Sequence, residues 1–160
     1  MNTAEHEDRL PETASPETPL KAEKGAPTEA ELAALAHFRF VLRRFLAFSE
    51  QAAADAGVTV QWYQALLVIK TSGANGPISV GELADQLMIR DHSAAELVSR
   101  LVEAKLVRRK VDPGDRRRSL ILITPAGERS LSRLAAVHLA RLRANKDAFL
   151  NLFIAEQLAL

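Results

Sequence analysis

The chain has 160 residues, 48% hydrophobic and 26% charged, with no cysteine and a formal net charge of +1. That length supports one well-cored domain, or a domain with a tail. The absence of cysteine excludes disulfides, thiolate nucleophiles, thiol redox sensing and Cys-ligated zinc. Charge is unevenly placed. Residues 1–31 hold 3 Lys/Arg and 8 Asp/Glu, which leaves 18 of the 21 basic and 12 of the 20 acidic residues in 32–160. A basic body suited to a polyanionic partner therefore follows an acidic segment. No apolar run reaches the roughly 18 residues that span a bilayer. Met1 to Arg9 is polar and acidic, unlike a secretory signal. The expectation is a cytoplasmic protein with no membrane partner.

Residues 1–27 carry Pro11, Pro16, Pro19 and Pro27 and few large apolar side chains. Such a segment cannot offset its ordering entropy, so a disordered acidic, Pro-rich tail is expected, with one domain over 28–160. Thr28-Glu29-Ala30-Glu31 has the capping-box pattern. It opens a long helix to about Ala56, with Leu32, Leu35, Phe38, Leu42 and Phe45 as an apolar stripe and Gly57 as its stop. A second helix is predicted from about Val60 to Lys70, then a loop at Gly73, Gly76 and Pro77. Ser79-Val80-Gly81-Glu82 repeats the capping box and opens a short helix through Leu87. Met88-Ile89-Arg90 makes a tight connection. A further short helix starts near Asp91 or Ser93, where Ser93-Ala94-Ala95-Glu96 has the pattern again, and runs to about Ala104.

The next segment reads as a β-hairpin. Leu106 to Val111 and Leu120 to Ile123 flank the Pro113-Gly114 turn, whose tip carries Asp115, Arg116, Arg117 and Arg118. Thr124 is a good N-cap and Pro125 suits the first turn of a long helix. A last helix is predicted from about Lys146, with Phe149, Leu152, Phe153, Ile154 and Leu158 as apolar residues.

The fold class is mainly α with a small β-hairpin. Two short helices and a turn have helix-turn-helix proportions, and an arginine-tipped ribbon follows. If Leu83, Ala84 and Leu87 pack on Ile89, Leu97, Val98 and Leu101, the outer face of the second helix carries His92, Ser93, Ala95, Glu96, Ser99 and Arg100. These are the candidate DNA-binding residues, together with Arg116, Arg117 and Arg118 on the ribbon.

In combination these residues resemble the MarR family of winged helix-turn-helix transcription regulators over roughly residues 30–160. Gln61-Trp62, with Thr59 nearby, is similar to the segment that opens the family's second helix. Glu82-Leu83-Ala84 matches the first reading-head helix. Ser93 through Leu106-Val107, with Leu97-Val98-x-Arg100-Leu101, resembles the recognition helix and its exit. Asp115-Arg116-Arg117 fits the wing's Asp-x-Arg, and Leu122-x-Thr124-x-x-Gly127 fits the following Leu-Thr-x-x-Gly. Two family glycines are replaced by Met88 and Lys105. Glycine tolerates positive φ where Met and Lys do not, so either position calls for a backbone adjustment.

The resemblance implies a winged helix-turn-helix over about 60–124 and dimerisation helices over about 28–56 and 125–160. It implies a homodimer that reads a pseudo-palindrome in double-stranded DNA, with reading heads roughly 34 Å apart. Arg100 either bonds guanine O6 and N7 or sits on a phosphate. Ser93 and Ser99 are further contacts. His92 is a phosphate donor or a plain exposed histidine, and Glu96 accepts from cytosine N4 or caps the helix. Arg117 is the candidate for minor-groove insertion, Arg116 and Arg118 for phosphates, and Asp115 for orienting an arginine. Arg108, Arg109 and Lys110 alternate along a strand, so at least one points away from DNA. Family members typically repress and release DNA on binding a small, often aromatic ligand. His37, Phe40, Trp62 and Tyr63, with Arg43 for an anionic group, are the pocket candidates.

An enzyme is not expected. No phosphate loop, His-Glu-x-x-His or nucleophile elbow occurs, and no cofactor or bound metal is implied. The remaining alternatives are a metal-responsive regulator using histidines and carboxylates, and a winged-helix module that binds protein. The arginine-rich wing argues against the latter.

Overall fold

The structure, a computed structural model, describes residues 26–72, 77–115, 118–147 and 150. Residues 1–25 of the expected N-terminal tail, the loop glycines Gly73 and Gly76, Arg116, Arg117, and the apolar residues Phe149 to Leu158 of the expected last helix lie outside the described residues, save Leu150. Helix α1 spans Glu29–Asp55 and starts on the Thr28–Glu31 capping box. Helix α2 spans Val60–Ser72, and its first turn is held by the Thr59 hydroxyl, which accepts from the Trp62 amide at 3.1 Å. Gly57 turns the chain between them with φ +73°.

Strand β1, Ile78–Ser79, is only two residues long. Helices α3, Val80–Leu87, and α4, Asp91–Glu103, follow. Strands β2, Val107–Val111, and β3, Ser119–Ile123, form the expected hairpin. The sheet has three strands rather than two, antiparallel in the order β1-β3-β2, with Ile78 opposite Ile121. Helix α5, Pro125–Ala144, starts on Thr124, whose hydroxyl accepts from the Gly127 amide at 3.1 Å.

One core ties these elements together. Leu66 and Ile69 of α2, Leu83 of α3, Leu97, Val98 and Leu101 of α4, Val107 and Ile121 of the sheet, and Leu131 and Leu134 of α5 are buried in one cluster. Truncating a fully buried leucine in such a cluster costs about 2–5 kcal/mol, so the angle at which α4 projects is firmly held.

The two sites where glycine was expected keep glycine's geometry. Met88 has φ 52° and Lys105 φ 60°. Each ends a helix with a reach-back bond, from the Ile89 amide to the Ala84 carbonyl and from the Leu106 amide to the Leu101 carbonyl. Rather than adjusting the backbone, the chain accepts left-handed strain of about 1–2 kcal/mol per residue. The Met88 side chain is 91% exposed and offers no packing in return. Met88→Gly is therefore expected to raise stability by roughly 0.5–1 kcal/mol after glycine's entropy cost. A urea midpoint that stays put or falls would contradict this.

Candidate nucleic-acid interface

Helix α3 begins on a complete capping box. The Glu82 carboxylate accepts from the Ser79 amide at 2.8 Å and from the Ser79 hydroxyl at 2.7 Å, and the Glu82 amide donates back to Ser79 Oγ at 3.3 Å. Against α3, helix α4 buries Ala94, Leu97, Val98 and Leu101. Their spacing of three and four residues leaves the other face to solvent. That face holds His92, Glu96, Ser99 and Arg100, all exposed, with Ser93 and Ala95 half-buried at its edges. The helix starts at Asp91 on Arg90, which makes no side-chain cap bond, so Ser93 stands inside the first turn and the expected Ser93 capping box does not form.

Three of the candidate side chains on α4, those of Glu96, Ser99 and Arg100, are engaged within the chain. The Ser99 hydroxyl donates to the Ala95 carbonyl at 2.8 Å and accepts from the Arg109 guanidinium at 3.0 Å. Arg100 pairs loosely with Glu96 at 3.7 Å, one turn apart. Arg109, which the sequence did not single out, stands beside the exposed face of α4. A signal for it existed: residues two apart on a strand share a face, and Arg109 follows buried Val107 by two, which aims it at α4.

The wing root is pinned to α3. Arg118 forms an ion pair with Glu82 at 2.5 Å and donates to Ser79 Oγ at 3.4 Å. Its amide bonds the Asp115 carbonyl, and its carbonyl accepts from the Asp112 amide. Arg118, expected at a phosphate, has its guanidinium on a carboxylate of the reading head. Glu82 raises the pKa of Arg118 most, with smaller electrostatic help from Asp112 and Asp115.

Glu82 is held at about 2, below the usual 4.5, by hydrogen bonds from the Ser79 amide and hydroxyl and then by Arg118. A depressed carboxylate contributes stability above its unfolded pKa and loses it as pH falls toward the folded value. Stability should therefore drop between about pH 4.5 and pH 2. The drop is modest because half of the side chain is exposed. In Glu82→Gln this part of the pH dependence should flatten while the wild type keeps its slope. Identical slopes in acid titrations of stability would remove Glu82 from the role.

A cleft of about 580 Å³ opens beside the reading helix, lined by Glu50 and Ala54 of α1, Val58 through Trp62, and Ser93, Glu96, Leu97 and Arg100 of α4. Of the five residues expected to line a ligand pocket, Trp62 is there. His37, Phe40 and Arg43 are exposed along α1 and are not part of this lining. Tyr63 is a core residue, stacked on the His138 ring at 4.4 Å. His138 is itself buried; its Nδ1–H donates to the Leu134 carbonyl at 2.7 Å, so its Nε2 accepts from Ser49 Oγ at 2.8 Å. This histidine joins α1, α2 and α5 in a satisfied polar contact. Among the described residues there is no group of three or more His, Cys, Asp or Glu able to hold a metal ion.

Comparison with known sequences agrees with this geometry. The MarR family profile matches residues 56–118, from the α1–α2 turn through the wing. A protein assigned to regulate transcription of the hcr operon in Thauera aromatica is 32% identical over 127 residues, 72% of this chain and 74% of that one. The chain belongs to the MarR family. It is a DNA-binding regulator of transcription. The fold is also that of solved MarR-family structures. AbsC from Streptomyces coelicolor superposes with a TM-score of 0.64 at 24% identity, covering 84% of this chain and 88% of that one. BpsR from Bordetella bronchiseptica, whose DNA binding is regulated by 6-hydroxynicotinic acid, gives 0.56 at 21% identity, covering 71% and 83%.

The MarR-like Leu122-x-Thr124-x-x-Gly127 segment has a steric reason here. A Cβ built on Gly127 would stand 2.1 Å from the Leu106 carbonyl oxygen. Only a residue without a Cβ lets the start of α5 lie on the exit of α4.

Proposed function

We propose that this MarR-family regulator is a cytoplasmic homodimeric repressor that reads a pseudo-palindromic operator and releases it when a small ligand binds. The observation that carries the reading is α4. One face is locked into the core by Ala94, Leu97, Val98 and Leu101, and the opposite face offers His92, Glu96, Ser99 and Arg100 to a major groove. In this role Arg100 leaves its loose pair with Glu96 for a base or phosphate, Ser93 and Ala95 flank the contact, and His92 meets a phosphate. Arg109 lies beside Ser99 and adds positive charge where the helix meets the wing. Arg116 and Arg117 engage the backbone and the minor groove, while Arg118 keeps the wing root on α3.

The dimer reading is supported by apolar surface on the same two helices. Leu32, Leu35, Leu42 and Leu46 of α1 and Val137, Leu139 and Leu142 of α5 are exposed. Hydroxyl-radical footprinting on the DNA upstream of the gene tests the proposal. Two protected half-sites about one helical turn apart are expected. One patch, or none, would contradict it.

A further inference from the structure

The cleft beside α4 has a charge character that selects its ligand. Its volume of about 580 Å³ lies within the range of small-molecule sites, about 300–1,000 Å³. Three charged side chains line it: Glu50, Glu96 and Arg100. Glu96 and Arg100 face one another at 3.7 Å and largely cancel. Glu50 has no ion pair or hydrogen bond among the described residues. The lining therefore carries one uncompensated negative charge. Half-buried Trp62 lines the same cleft, with Val58 and Leu97 adding apolar wall. An indole face is the best aromatic partner for a cation. An anion would meet the unpaired Glu50 and would have to draw Arg100 away from Glu96.

We propose that this cleft binds an organic cation with an aromatic or bulky apolar body, held by the Glu50 carboxylate and the Trp62 ring. The inference deepens the effector reading above and rests on it only for the regulatory consequence. Glu96 and Arg100 belong both to the cleft and to the exposed face of α4, so an occupant competes with DNA for the same side chains. The ligand class differs from the anionic one that Arg43 suggested from sequence, because Arg43 is not in the lining and Glu50 is.

Trp62 is the only tryptophan in the chain, so intrinsic fluorescence reports on the cleft directly. The probes are tetraphenylphosphonium and tetraphenylborate, ions of matched size and opposite charge, titrated into the DNA-free protein in sodium buffer. Saturable quenching by the phosphonium and none by the borate over the same range is the expected result. Glu50→Gln should weaken the phosphonium by about fivefold, with circular dichroism unchanged. Equal or tighter borate binding, no saturable response to the cation, or cation binding indifferent to Glu50→Gln would each overturn the proposal. Because no DNA is present, failure here with operator binding intact sinks the ligand class alone. Cation binding without operator binding would sink the repressor reading and leave the site.

Discussion

Gly127→Val is expected to lower folding stability by roughly 3 kcal/mol, a large share of the 5–15 kcal/mol typical of a domain. The cause is backbone rather than side-chain crowding. A Cβ at 127 meets the Leu106 carbonyl oxygen at 2.1 Å and Ile123 Cγ1 at 2.8 Å. The Leu106 carbonyl cannot swing aside cheaply, since it accepts from the Thr124 amide at 3.0 Å and from the Thr124 hydroxyl at 3.0 Å. Relief requires α5 to move off the α4 exit, which breaks the Thr124 cap and loosens Leu131 and Leu134 from the core. Gly127→Ala should fall between wild type and the valine variant. Urea denaturation reads both, and an unchanged midpoint for either would mean that the junction yields without cost.

A Leu35→Glu, Leu46→Glu double variant is expected to be monomeric and to lose at least about a thousandfold in operator affinity, down to the non-specific range. Leu35, Leu42, Leu46, Ser49 and Ala53 follow each other along α1 at spacings of three, four and seven, on one face. Ser49 and Ala53, toward the C-terminal end, are buried by the chain's own α2 and α5. The stripe continues to Leu46, Leu42 and Leu35, which are 49%, 37% and 50% exposed. In the proposed dimer a second copy covers them. Two glutamates there should leave the fold intact, because neither leucine is in the chain's own core. Analytical ultracentrifugation beside anisotropy separates the effects. A variant that stays dimeric, or a monomer that binds as tightly as wild type, would contradict the assignment of this face.

The helices were legible where the signal was local. Thr28-x-x-Glu31 and Ser79-x-x-Glu82 both form capping boxes, because each serine or threonine directly precedes its helix. Ser93-x-x-Glu96 has the same spelling but lies inside a helix that starts two residues earlier, so the pattern alone could not place the boundary. Strand β1 was invisible: two residues carry no periodicity, and Ile78 becomes a strand only because Ile121 lies opposite. The family resemblance located the positive-φ positions, and the structure adds that Met88 and Lys105 occupy them without relief.

The site was legible at the level of α4's exposed face and less so in its details. Nothing local in the run of arginines marks Arg118 as turning back, and it does so because Glu82 of a distant capping box is within reach. Trp62 and Tyr63 were grouped as pocket residues, yet neighbours on a helix point about 100° apart. One lines the cleft and the other stacks on His138. Glu50, the charge that sets the cleft's character, sits on α1 amid residues that gave no sign of facing α4.

The proposed function requires that this chain read a specific DNA sequence with α4 and the wing. Fluorescence anisotropy against the gene's own upstream intergenic DNA, with scrambled duplex as competitor and at several salt concentrations, tests it most directly. Tight binding that resists competitor and weakens with salt is expected, each neutralised phosphate adding about 0.9 to the log–log slope. Weak binding, equal for both duplexes at every salt concentration, would contradict it.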